Sequence, residues 1–238
     1  MRLKRRRPAH APRGPSWCSA QSQASDIEFT HVGVAVRKLT VHGGIDHVKL
    51  LVGGVNLGAS SSYTTDADVE LSGPAVRDAT AVFDRDWTAG GGSGAPASGV
   101  FGSFVTGTAT LPAMLGVIAH ATRSCTVVAN YLSDYTIQDA LVAAERRGVT
   151  VTVVLNPTGY AEASAAAWLR RGGVHVEVAP AEPYLHAKIL ACGQEAMIGS
   201  ANFSYHGMAV NHELDVVLGG RAAATVGAFA AGVARSDG

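Results

Sequence analysis

Residues 185–204 constrain this chain more than any other stretch. Two short apolar runs, one around Ile189 and Leu190 and one around Met197 and Ile198, flank Gly193 and Gln194. Runs of that length with a two-residue break containing glycine predict an antiparallel hairpin. Side chains alternate along a strand, so His186 and Lys188, two residues apart, project from one sheet face. An imidazole and an ammonium are thereby set side by side. The second run ends at Gly199-Ser200-Ala201-Asn202, a small-residue corner where backbone amides, a hydroxyl and a carboxamide can close on an anion. A phosphate is the kind of group such a corner would hold.

The pattern occurs twice. His47-x-Lys49, Gly53-Gly54-x-Asn56 and Asp66-x-Asp68-Val69 repeat His186-x-Lys188, Gly199-Ser200-x-Asn202 and Glu213-x-Asp215-Val216. Two copies of one half-site predict a pseudo-twofold site where they meet. The copies are unequal: Lys49 and Gly53 lie 4 positions apart, Lys188 and Gly199 lie 11 apart. The first copy is therefore expected to lack a hairpin turn and most of one strand, since Leu50, Leu51 and Val52 leave little room to reverse the chain. A His47 still held in the site and a degraded first copy are both open at this level.

Taken in order, His-x-Lys, turn, strand, Gly-Ser-x-Asn and then Asn211-His212-Glu213-x-Asp215 resemble the phospholipase D superfamily over roughly residues 31–220. Phe83-x-x-Asp86-Trp87 resembles the segment that closes the first lobe in that family. One departure stands out: the family's aspartate five residues after the lysine falls here on Gly193. The resemblance implies a metal-independent phosphodiesterase or phosphatidyltransferase with no cofactor, acting on phospholipids through a phosphohistidine. It implies His47 as nucleophile and His186 as acid, an order the residues alone do not fix. Lys49, Lys188, Asn56 and Asn202 would hold phosphate oxygens with help from Ser200. Asp66 and Glu213 would each accept a hydrogen bond from a histidine ring nitrogen.

The remainder of the chain supplies the frame. Residues 1–28 are basic, with no acid before Asp26, and are expected to be a disordered tail. Residues 29–88 read as a first lobe, incomplete at its start, ending in a helix that opens at Pro74. Residues 89–109, rich in Gly and Ser, read as a flexible linker. Residues 110–238 read as a complete second lobe in which helices near 111–122, 136–147 and 161–171 alternate with strands near 125–130, 149–155 and 174–178. A closing helix falls near 222–233. Such alternation predicts an α/β fold with a mixed, mostly parallel sheet flanked by helices.

Charge separates the partner classes. Lys and Arg number 19 and Asp and Glu 19, so no net field draws the chain to nucleic acid. A phospholipid substrate with peripheral membrane contact is the leading expectation. A nuclease of the same superfamily, completed by homodimerisation, and an inactive phosphate-binding relic are the alternatives. Cys18, Cys125 and Cys192 have no metal-ligand spacing and read as separate buried thiols, which points to a cytoplasmic location. His206 and His212 fall near the site loop as candidates for substrate contact.

Overall fold

A computed structural model of the chain describes residues 2–5, 35–38, 48–54, 64–157 and 159–235. The N-terminal part supplies β1 (Arg2–Arg5), β2 (Ala35–Lys38), β3 (Val48–Gly53), β4 (Thr64–Thr65), β5 (Ala67–Ser72) and α1 (Pro74–Gly90). After these come β6 (Gly99–Phe101), β7 (Phe104–Thr106), α2 (Thr110–Ala119), β8 (Ser124–Ala129), α3 (Tyr135–Arg146), β9 (Thr150–Leu155), α4 (Tyr160–Arg171) and β10 (His175–Val178). The chain then runs through β11 (Tyr184–Leu185), β12 (Lys188–Cys192), β13 (Glu195–Gly199), β14 (Asp215–Gly219) and α5 (Gly220–Arg235).

Eight strands form a large mixed sheet in the order β10-β9-β8-β12-β13-β14-β7-β6. Its faces are sorted by the two-residue period of the strands. On β12, Leu190 and Cys192 pack with Met114, Ile118, Ile137, Leu141 and Leu169 of α2, α3 and α4. Ile189 and Ala191, one residue out of phase, pack with Val226, Ala230 and Val233 of α5 and with Leu50, Val52 and Val69 of the N-terminal sheet. Both faces are covered, so β12 is buried along its whole length. Burying each such Leu or Ile side chain contributes about 1.5–3 kcal/mol. The carboxyl ends of β8 and β9, where Asn130 and Asn156 follow, open onto the loop that carries His186.

The sheet is mixed, as alternation predicts, but it is not mostly parallel. Only the pairs β8–β9 and β9–β10 run parallel; β8–β12, β12–β13, β13–β14, β14–β7 and β7–β6 are antiparallel. Helical crossovers account for the first group; in the second, β12–β13 and β7–β6 are hairpins and the other pairs join strands distant in sequence. The expected flexible linker is one source of the difference. Within it, β6 and β7 form a hairpin turning at Gly102, whose φ of 58° suits glycine, and Phe104 is fully buried on the large sheet. Glycine-rich composition hid two short apolar strands.

A smaller antiparallel sheet, ordered β1-β5-β3-β2, lies against the β13 and β14 region through the shared core. β1 corrects the expectation of a disordered tail from the first residue: Arg2 to Arg5 pair with Glu70 to Ala67, and main-chain pairing at a sheet edge needs no apolar run. Cys125 and Cys192 are corrected as well. They are cross-strand partners on β8 and β12, with Cα atoms 3.9 Å apart and their sulfurs bonded, because strand pairing closes a sequence separation of 67. With their sulfurs bonded, Cys125 and Cys192 no longer point to a reducing compartment. No helix among the described residues is long and apolar enough to cross a membrane.

Candidate active site

His186 is held by both parts of the molecule. Thr64 and Thr65 pair in parallel with Tyr184 and Leu185, and the Thr65 carbonyl then accepts from the backbone N–H groups of His186 and Ala187 at 2.9 and 3.2 Å. The next residue, Asp66, is buried and bonds the ring: its Oδ2 lies 2.7 Å from His186 Nδ1, while its Oδ1 accepts from Ala67 N at 2.9 Å. A carboxylate oxygen only accepts, so Nδ1 carries the proton and Nε2 presents its lone pair. Asp66 belongs to the first copy of the repeat and His186 to the second. The site therefore spans the join.

Lys188 stands beside the ring, its Nζ 3.1 Å from His186 Nε2, and also donates to the His186 carbonyl. Its Nζ lies 3.0 Å from Nδ1 as well, but that nitrogen is already a donor to Asp66, so the useful contact is with Nε2. Lys188 is 3% exposed. Burial lowers its pKa from 10.5 to about 8, against the opposing pull of Asp66, Glu213, Asp215 and Asp68. The ammonium is thus fully present only below that pH. Binding of an oxyanion such as tungstate is expected to weaken about tenfold per pH unit above about 8, rather than above 10.5. A flat affinity profile from pH 8 to 10 would refute the assignment.

The small-residue corner follows β13. Ser200 N donates to the Leu214 carbonyl at 3.2 Å, and Leu214 N returns a bond to Ser200 Oγ at 3.1 Å. The Ser200 hydroxyl and Asn211 Nδ2 both serve Glu213. Burial raises the Glu213 carboxyl, and those two hydrogen bonds partly oppose the rise. Glu213 Oε2 is buried without a partner among the described residues. Asp215, fully enclosed, is pushed up to about 7, chiefly by burial, although Ala201 N donates to it at 3.3 Å.

The two halves superpose in their packing, in a register that the motif spacing does not reveal. Gly53 pairs with Asp68, as Gly199 pairs with Asp215. A Cβ on either glycine would stand 2.5 Å from the Cα of its aspartate partner. β3 and β5 are thus the counterparts of β13 and β14, and β2, antiparallel to β3, takes the place of β12. The hairpin partner precedes β3, so the seven residues expected to be missing are not a deletion.

That register moves one predicted site residue. Lys49 lies four residues from Gly53, as Glu195 does from Gly199, about 13 Å along the strand. It is exposed and paired with Glu70 at 2.8 Å, outside the cluster around His186. His47 and Asn56 lie outside the described residues. Asp66, His186, Lys188, Ser200, Asn202 and Glu213 fall at or around the corner after β13. Gly54 joins them from the first copy, since a Cβ there would stand 2.6 Å from Asp66 Oδ1 and 3.2 Å from Lys188 Cδ.

Three further residues were not singled out for the places they take. Asn130 and Asn156, each following a strand, reach Asn202 and the chain before His186. Asp86, on α1, holds His212 Nε2 at 2.7 Å and Ala97 N at 2.7 Å, so that the segment leading to Glu213 is tied to α1. The Asp86 contact raises the His212 pKa. His212 is thereby a brace for the loop. Its partner sits in the Phe83-to-Trp87 motif, the one sequence signal that pointed there.

Residues 114–228 match the family model described as cardiolipin synthase, phospholipase D-like domain. Over those residues the chain carries a phospholipase D-like domain. Nuc from Salmonella typhimurium, described as a phospholipase D family member, is 23% identical with a TM-score of 0.51, over 56% of this chain and 94% of that one. A phosphatidylserine synthase from Haemophilus influenzae Rd KW20 is 10% identical with a TM-score of 0.60, over 81% of this chain and 62% of that one. NucT from Helicobacter pylori is 14% identical with a TM-score of 0.51, over 56% and 95%. At these identities the likeness is one of fold: a large mixed sheet flanked by helices. No curated protein matches the chain in sequence.

Proposed function

We propose that this phospholipase D-like chain is a phosphodiesterase or phosphatidyltransferase that needs no metal and acts on phospholipids through a phosphohistidine. The observation that carries the reading is His186, oriented by Asp66 at 2.7 Å with the buried Lys188 ammonium 3.1 Å from Nε2. In-line displacement at phosphorus needs a nucleophile, an acid for the departing oxygen and positive charge on the equatorial oxygens. One imidazole forms the N–P bond as the P–O bond to the alcohol breaks. The other protonates the departing oxygen, then takes a proton from water or a second alcohol as that attacks the phosphohistidine. Asn202 and Ser200 are assigned to the phosphate oxygens with Lys188. The second imidazole is assigned in this reading to the first copy; the register of β3, which carries Lys49 away from the corner, speaks against His47 for that part.

Two features favour this over a nuclease completed by a second chain. Asp66 and Gly54 of the first copy already occupy the face at His186 and Lys188 where another subunit would have to bring its motif. In addition, the loops 130–137, 156–162, 180–188 and 200–214 hold a single Lys or Arg, the buried Lys188, whereas Tyr131, Tyr135, Tyr184 and Tyr205 on them are exposed. A groove that tracks a nucleic-acid backbone is basic, while tyrosines suit the boundary of a lipid surface.

The test is head-group release from phosphatidylcholine and phosphatidylglycerol vesicles by the purified chain in EDTA, beside a single-stranded DNA digest in the same buffer. Lipid turnover without DNA cleavage is expected, with a label from substrate phosphate retained on histidine and lost in acid. DNA cleavage alone would transfer the chain to the nuclease reading. Turnover of neither would leave it a phosphate-binding relic.

A further inference from the structure

We infer that Asn130 and Asn156 form an amide relay that decides which end of the Asn202 carboxamide faces the phosphate. An asparagine side chain has a donor end and an acceptor end of nearly the same shape, so something must choose between them. Here the choice starts at a main-chain carbonyl. Asn156, 3% exposed, meets the Leu185 carbonyl at 2.6 Å and the Asn130 carbonyl at 2.9 Å, and a carbonyl can only accept. Asn156 must therefore turn Nδ2 toward them, which leaves its own Oδ1 buried and without a partner among the described residues. The same Nδ2 lies 2.9 Å from the side-chain oxygen of Asn130, so its two hydrogens are shared among three acceptors, and an Asn130 NH₂ turned that way would meet another donor. Asn130 is thus fixed with Oδ1 toward Asn156 and Nδ2 outward, where it donates to Asn202 Oδ1 at 3.2 Å. With its oxygen engaged, Asn202 keeps both Nδ2 hydrogens for an anion.

The relay also grips the chain on both sides of His186. Asn156 holds the carbonyl before His186 and the Asn130 backbone N–H holds the carbonyl after it, Ala187 O, at 2.8 Å. Two asparagines at the carboxyl ends of β8 and β9 thus couple the placement of His186 to the polarity of Asn202. Both are positioning residues, acting through Asn202 and the backbone. This inference rests on the reading of Asn202 as a phosphate ligand made above.

Asn130→Asp tests it with the full chain. A carboxylate at 130 accepts from both neighbours, so Asn202 should swing round, donate Nδ2 to it, and turn Oδ1 toward the anion. Tungstate affinity, measured by calorimetry, is expected to fall roughly 10- to 100-fold in Asn130→Asp and by less in Asn130→Ala, which leaves Asn202 free to turn. In an Asn202→Ala background the Asn130→Asp change should cost no more than about twofold. An equal loss in that background would overturn the relay, because the effect would then be added charge or a disturbed fold. The side-chain amide of Asn202, followed by 15N NMR, reports independently of any ligand. Its protons should shift downfield and exchange more slowly in Asn130→Asp; unchanged signals would overturn the relay. Failure of the wild-type chain to bind tungstate, with the NMR shift present, would instead strike the phosphate-site reading.

Discussion

Asp66→Asn is expected to lower turnover by roughly 10²–10⁴, the range that correct proton placement on a catalytic group supplies, while barely moving the melting temperature. The reason is which end of the new amide meets the ring. Asp66 Oδ1 accepts from Ala67 N and Oδ2 bonds His186 Nδ1. An asparagine must keep its oxygen at the backbone N–H, where an NH₂ group would meet another donor, so Nδ2 lands on the imidazole. It would donate to Nδ1, drive the ring proton onto Nε2, and remove the lone pair from the site. His186→Ala should abolish the residual rate. Turnover by Asp66→Asn within a fewfold of wild type, measured as head-group release at pH 7, would show that the ring is oriented by something other than this carboxylate. Asp66→Glu, which restores an acceptor at a different reach, should recover part of the loss.

That prediction joins two residues 120 positions apart, and it marks the limit of what the sequence makes legible. The hairpin of β12 and β13 and its turn at Gly193 are encoded within twelve residues. The strands and helices from α2 to β10 are also marked by local periodicity, and they fall within a few residues of expectation. The repeat singles out Asp66 and Glu213 as expected histidine partners, but not that Asp66 meets the histidine of the other copy, nor that Glu213 is met by Asn211 and Ser200. What failed depended on pairing at a distance. Lys49 matches Lys188 by its neighbour two residues back, yet the strand partner that sets its place is β2, upstream of everything the motif includes. Asn130 and Asn156 read as ordinary turn formers after strands, since nothing in the local sequence says that their amides meet. The antiparallel balance of the large sheet was hidden in the same way, because Phe104 and Val105 lie in a stretch whose composition reads as linker.

Gly199→Ala is expected to be among the most damaging single methyls in the second half, costing about 3 kcal/mol of stability and roughly 6–12 °C in Tm for a chain of this size. The cost comes from lack of space rather than from backbone conformation. The added Cβ would drive into the Leu214 carbonyl and Asp215 Oδ1 and stand 2.5 Å from Asp215 Cα, and two of those three atoms are main chain of the neighbouring strand. No rotamer relieves that contact, so β13 and β14 must separate where Gly199 pairs with Asp215. The Ala201-to-Asp215 hydrogen bond would be strained at the same point, leaving a buried carboxyl short of its donor. Gly53→Ala meets Asp68 and Ala67 in the same way, so a comparable loss there would show that the first copy is packed as tightly as the second. Gly219→Ala is the control: a Cβ there meets nothing within 4 Å, and its Tm should hardly change. If thermal unfolding of Gly199→Ala coincides with that of Gly219→Ala, the close approach of β13 to β14 is wrong. The corner that positions Ser200 and Asn202 would then lose its foundation, because it is this approach that fixes where the chain leaves β13.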